Sequence, residues 1–143
     1  MVKGYLPIDE IIVNALNEDI GDGDVTSNLV IPENSKTEFK IVAREEMVVA
    51  GLNIASLVFY KLSSDIKIQC HYSEGSLVKS GSVVLSGYGN SRAIFAAERI
   101  ALNLLKITCG VATITSQMVA QVSSTKVKIL DTRKTIPGLR PLQ

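Results

Sequence analysis

Apolar and polar positions follow two rhythms along the chain, and the switches between them predict its elements. From residue 7 to residue 18 the spacing is helical, with Ile8, Ile11, Ile12, Ala15 and Leu16 on one face. Pro7 suits the first turn, and Asp9 and Glu10 suit the positive end of the helix dipole. Gly21-Asp22-Gly23-Asp24 ends that helix. The acids between Glu18 and Asp24 invite a calcium reading, but the twelve-residue loop with its terminal Glu is missing. A turn whose Asp caps the following Thr-Ser backbone is expected instead. From Thr37 the period becomes two, with Phe39, Ile41 and Ala43 on one face and Lys40, Val42 and Arg44 on the other. Met47-Val48-Val49-Ala50-Gly51 reads as a second strand.

Helical spacing returns at Leu52 to Leu62, with Ile54, Leu57, Val58 and Leu62 facing in. Ile66, Ile68 and Cys70 then alternate with Lys67, Gln69 and His71, a strand with one wet face. His71 is the only histidine, and no nucleophile or carboxylate accompanies it in a motif, so an exposed strand position is expected. Glu74 to Leu85 is a repeat of turn and strand similar to the hairpins of biotinyl and lipoyl carriers. Lys79 falls inside the strand pattern rather than at a hairpin tip, which excludes a carrier role. Two helices follow. The first, from Ser91 as N-cap to Lys106, turns Ile94, Phe95, Ala97, Ile100, Ala101, Leu104 and Leu105 inward. Thr108-Cys109-Gly110 is read as a break, and Val111 to Ser123 as the second helix, with Ile114, Met118 and Val122 at helical spacing. Val127, Ile129 and Leu130 then form a short apolar run bounded by Pro137-Gly138, a buried strand delivering Arg133 and Lys134 to the loop at its exit.

Composition narrows the function classes. At 143 residues, 46% apolar and 20% charged, the chain can bury one ordinary core. A formal charge of +1 gives no reason to expect nucleic acid or a membrane surface as partner. No apolar run approaches the roughly 20 residues that span a bilayer, and no signal-peptide core follows Met1-Val2-Lys3-Gly4-Tyr5. Cys70 and Cys109 lack metal-type spacing and read as reduced, mostly buried thiols of a cytoplasmic protein. What remains is the cationic cluster of Arg133, Lys134 and Arg140 against a single acid, Asp131, a site for carboxylates and phosphates. A solvated basic loop is the plain alternative.

The string Asp131-Thr132-Arg133-Lys134-Thr135-Ile136-Pro137-Gly138-Leu139-Arg140 resembles the signature of the quinolinate phosphoribosyltransferase family. Four other stretches agree in order and spacing. They are Glu18 to Ser27, Ala43-Arg44-Glu45 with Val49-Ala50-Gly51, Glu98-Arg99-Ile100-Ala101-Leu102-Asn103, and Gly110 to Thr115. The resemblance implies an α+β N-terminal domain, with a mixed or antiparallel sheet and helices, over residues 1–115. The first unit of a truncated α/β barrel would follow over residues 116–143. It implies transfer of phosphoribose from phosphoribosyl pyrophosphate to quinolinate, with Mg2+, giving nicotinate mononucleotide, CO2 and pyrophosphate. It also implies a cytoplasmic homodimer with shared active sites. Arg133 and Lys134 match the positions that bind the quinolinate carboxylates and the phosphate-bearing substrate. Arg99 matches the arginine that one subunit lends to the other's site. Arg140 matches the motif with its role left open between phosphate proximity and structural pairing.

The chain departs from the family where it stops, at Pro141-Leu142-Gln143. The later barrel strands, and the carboxylates expected to hold magnesium, lie beyond it. These residues by themselves are expected to be a fragment unable to turn over substrate, with no metal ligands and no certain catalytic residue of their own. A sister family associated with molybdenum uptake shares part of the motif set. A non-catalytic dimerisation module is the competing function.

Overall fold

A helix with one apolar stripe and a strand with one apolar face both need a partner surface, and here they cover each other. The computed structural model describes residues 7–21 and 23–143. Four helices and five strands follow in chain order: α1 (Ile8–Ile20), α2 (Val25–Val30), β1 (Lys36–Val42), β2 (Met47–Val48), α3 (Leu52–Leu62), β3 (Lys67–Cys70), β4 (Leu77–Val78), β5 (Val83–Asn90) and α4 (Ser91–Val122). A 3-10 turn, Arg140–Leu142, comes last. β1, β5 and β3 form an antiparallel sheet in that order, and β2 pairs with β4. The first sheet is in register from Lys36 opposite Asn90 to Ile41 opposite Leu85, with a bulge before Val42. The result is a mixed α/β fold with antiparallel sheets.

The two rhythms are read out faithfully at the start. α1 buries Ile11, Ile12 and Leu16, and β1 alternates exposed with half-buried positions along its length. Asp24 caps α2 by accepting from Ser27 N at 3.0 Å, the capping turn expected in place of a calcium loop. The Ser27 hydroxyl and backbone N–H hold the Asp24 carboxyl below its ordinary 3.8. Asp22, in the same turn, lies outside the described residues. At the sheet centre Phe39 lies opposite Gly87 and stacks on Phe59, with ring centroids 4.5 Å apart. Gly87 has no room for a side chain, since a Cβ there would stand 2.5 Å from the Phe39 ring.

Several expectations are corrected. The break at Thr108-Cys109-Gly110 does not exist, and α4 runs as one helix of 32 residues. Thr108 satisfies its hydroxyl without leaving the helix, donating to Ala50 O at 2.5 Å while lying 3.1 Å from Leu104 O. Cys109 makes a paired contact beside it: Ala50 N donates to Sγ at 3.3 Å and the thiol donates to Ala50 O at 3.2 Å. Burial pushes this thiol above its ordinary 9.0. Cys70 is exposed, not buried, although Ile68 on the same face of its strand packs against the core. The cap of α4 is Asn90, whose Oδ1 accepts from Ala93 N at 3.0 Å, and Ser91 is the first helical residue. Leu57 and Phe95, assigned inward, are exposed; Ala55 and Phe59 take the core side of α3 instead. Ile114 and Met118 are likewise exposed. β2 is only two residues long. Lys79 opens the turn closed by Ser82 N to Lys79 O at 3.1 Å, rather than lying within a strand. The strand expected around Ile129 and Leu130 is not formed. A strand needs a ladder partner, and none pairs with this segment among the described residues. Val127 and Leu130 are accordingly exposed. Among the described residues no helix is long and apolar enough to cross a membrane.

Candidate functional site

Two helices and the last loop converge on one side of the molecule. The C-terminal turn of α1 carries Glu18 and Asp19, and the buried half of α4 carries Arg99 and Asn103 on its open side. Arg99 Nη1 donates to Asp19 Oδ1 at 2.7 Å, an ion pair between residues 80 positions apart. The Asp19 side chain is 19% exposed and that of Arg99 is 71% exposed. An exposed ion pair adds little stability, so its consequence is orientation: Asp19 holds one edge of the guanidinium while the rest faces solvent. Glu98 and Arg99 are sequence neighbours and do not face each other on a helix, which leaves Asp19 to fill that role.

Beside this pair lies a cleft of about 410 Å³ with Ile11, Ile100 and Leu104 as its apolar floor and Glu18, Asp19 and Asn103 at its mouth. Gly138 and Leu139 form part of its wall, so the end of the chain packs across α1 and α4. Leu142 is buried and joins the core, with Leu139 packed against it. A second cleft, of about 450 Å³, separates the 41–47 segment from α4 and carries Arg44 and Lys106.

Arg133 and Lys134 stand in an exposed irregular loop, not at a strand's exit. Neither has an ion-pair partner among the described residues. Arg140 reaches back into this loop, donating from Nη2 to Arg133 O at 2.8 Å and from Nε to Thr135 Oγ1 at 3.0 Å. The structure therefore brings Arg133, Lys134 and Arg140 together in one loop and pairs Arg99 with Asp19. The lone histidine is exposed, and His71 Nε2 lies 2.8 Å from Ser86 Oγ, with no carboxylate among the described residues bonded to it to complete a triad. No cluster of three or more His, Cys, Asp or Glu able to hold a metal exists among the described residues. The described residues offer magnesium no cage.

Sequence reading treated the Glu18–Asp19 stretch as structural and missed Asp19 as the partner of Arg99. Its one signal was an acid-rich helix end recurring with an arginine-bearing helix in the same motif set. Arg92 was missed as well: it ties α2 to α4 by donating to Ile31 O at 2.8 Å and to Asn28 O at 3.1 Å.

Comparison with known proteins bears on the family and the fold. The model of the quinolinate phosphoribosyl transferase N-terminal domain matches residues 24–109, and that of the C-terminal domain of the same family matches residues 111–143. A probable carboxylating nicotinate-nucleotide pyrophosphorylase of Bacillus subtilis is 35% identical over 139 residues, 97% of this chain and 48% of that protein. The chloroplastic carboxylating nicotinate-nucleotide pyrophosphorylase of Oryza sativa subsp. japonica is 39% identical over 127 residues, 88% of this chain and 34% of that protein. The crystal structure of nicotinate-nucleotide pyrophosphorylase from Ehrlichia chaffeensis superposes with a TM-score of 0.90 at 41% identity, covering 97% of this chain and 51% of that one. The Francisella tularensis structure gives 0.87 at 37%, covering 95% and 50%. The chain spans about half the length, or less, of these relatives. Since the N-terminal family model alone covers more than half of its residues, the chain belongs to the quinolinate phosphoribosyl transferase family.

Proposed function

We propose that these residues supply the N-terminal domain and the first substrate-binding loop of an enzyme that transfers phosphoribose from phosphoribosyl pyrophosphate to quinolinate. The products are nicotinate mononucleotide, CO2 and pyrophosphate, a step of NAD biosynthesis. One observation carries the reading: Arg133 and Lys134 stand exposed, without ion-pair partners, on a loop pinned to the core by Leu142. A dicarboxylate and a polyphosphate bound side by side need cations of two kinds. Arg133 offers a planar fork to a carboxylate, and Lys134 offers a compact charge to phosphate oxygens. Residues 1–115 are then the N-terminal domain and 116–143 the opening unit of an α/β barrel. The exposure of Val127 and Leu130 is what an apolar barrel strand shows before its neighbours are added. Arg99, exposed and steadied by Asp19, serves the active site of a second copy in a homodimer. Magnesium comes with phosphoribosyl pyrophosphate. A cytoplasmic setting accords with the free cysteines. Turnover is proposed for the assembled barrel and not for these 143 residues alone.

The test is nicotinate mononucleotide formation from quinolinate, phosphoribosyl pyrophosphate and magnesium, measured on the gene's own product and on the 143-residue chain. Arg133→Ala and Arg99→Ala should each lower kcat/KM by about 100-fold or more. Mixing the two variants after dissociation should restore about a quarter of native activity. Half of randomly formed dimers are mixed, and each mixed dimer holds one intact site. No product from the unsubstituted gene product would overturn the reading in favour of a non-catalytic dimerisation module. Failure of the mixture alone would remove Arg99 from the partner's site.

A further inference from the structure

The segment from Thr132 to Gln143 closes on itself. Lys134 N donates to Thr132 Oγ1 at 3.3 Å and Ile136 N to Gln143 Oε1 at 2.8 Å. Leu139 N donates to Ile136 O at 3.0 Å across a turn in which Gly138 adopts a φ of +83°. Leu142, buried in the core, fixes the far end of this ring. Arg140 crosses it. Its Nη2 donates to Arg133 O and its Nε to Thr135 Oγ1, so the two acceptors belong to the residues flanking Lys134. A guanidinium is planar, and two donors on one rigid plane fix the separation of their acceptors. Arg140 is itself half-buried, while Arg133 and Lys134 are exposed.

We infer that Arg140 is a positioning residue: it grips the loop on both sides of Lys134 and so sets the direction in which the Arg133 and Lys134 side chains leave it. The inference rests on the reading of those two side chains as substrate ligands. It assigns a role to the one motif cation whose sequence allowed two. A phosphate ligand at position 140 would need its charge, whereas a brace needs its fork, and lysine separates the two because it keeps the charge and loses the plane.

Two substitutions test this, Arg140→Lys and Thr135→Val, the second removing an acceptor without touching Arg140. In the 143-residue chain, amide exchange at Lys134 and Ile136 should quicken about tenfold or more in Arg140→Lys, and by less in Thr135→Val, while Leu104 in α4 is unchanged. The double variant should exchange no faster than Arg140→Lys alone, since both changes cut the same tie. Native exchange rates in Arg140→Lys would overturn the brace. In the assembled enzyme, Arg140→Lys should raise the KM for quinolinate about tenfold with a smaller change in kcat, and Thr135→Val should move KM the same way. A native KM in Arg140→Lys would overturn positioning even if exchange had quickened. Absence of turnover in the unsubstituted enzyme would sink the functional reading and leave the exchange experiment to decide the brace.

Discussion

Gly51 combines a left-handed backbone with no room for a side chain, and Gly51→Ala tests how α3 and α4 are joined. Gly51 precedes α3 with a φ of +90°, a left-handed conformation. A Cβ built there would lie 2.5 Å from Thr108 Oγ1 and 3.2 Å from Thr108 Cβ. Holding a non-glycine residue in that region costs about 1–2 kcal/mol. Forcing a methyl into a packed contact costs about 1–3 kcal/mol more. Thr108 cannot retreat freely, because its hydroxyl donates to Ala50 O at 2.5 Å. The expected destabilisation is about 2–5 kcal/mol, a large share of the roughly 5–15 kcal/mol that holds a domain folded. Urea unfolding followed by far-ultraviolet circular dichroism should show a midpoint about 1–2.5 M lower, at an unchanged slope of about 2 kcal/mol per M. Adding Thr108→Ala to Gly51→Ala should recover part of the loss, whereas Thr108→Ser, which keeps the oxygen, should not. A loss below about 1 kcal/mol, or equal recovery by Ser and Ala, would refute the steric argument.

Two further outcomes are expected. Leu142→Ala removes the only buried side chain beyond Cys109 among the described residues; it should cost about 2–3 kcal/mol locally, read as faster amide exchange at Leu139 and Gln143 with a smaller shift in the urea midpoint. Asp24→Ala should cost about 1 kcal/mol at pH 6 through loss of the α2 cap. The Asp24 carboxyl sits below its ordinary 3.8 when folded, so its contribution is present above that pH and is lost as pH falls through the folded value. The gap between native and variant midpoints should therefore narrow below about pH 3.8, and an unchanged gap at pH 3 would contradict the cap.

The elements that sequence located well are those whose pattern is local. Helix α3 begins at Leu52 and ends at Leu62 as its periodicity predicts, and the β1 faces alternate as read. Thr108-Cys109-Gly110 was misread because Thr and Gly are weak helix formers in isolation. In the fold, Thr108 and Cys109 reach Ala50 from within the helix, so tertiary contacts outweigh propensity. Residues 127–130 fail in the opposite sense. Their β propensity is sound, but a ladder is a non-local object and needs strands that the described residues do not provide. The cationic motif was legible as a cluster of charge. The Asp19–Arg99 pair was not, because its members stand 80 positions apart and only α1 docking on α4 brings them together.

The uninterrupted α4 bears on mechanics. The two family models end and begin at residues 109 and 111, inside this helix, so no flexible linker separates the segments they describe. The helix is a shaft of roughly 48 Å at about 1.5 Å per residue, seated in the core over its first half and carrying the 123–143 segment at its far end. Gly110 sits near the fulcrum, and beyond its own stretch of helix nothing lies within 4 Å of where its Cβ would stand. A bend of about 10° there would swing the end of the shaft, roughly 18 Å away, by about 3 Å. Misplacement by about 1 Å can cost a catalytic site about 100-fold. The cationic loop is held at both ends, by this lever and by Leu142 in the core, so a bend at Gly110 would strain the segment between them.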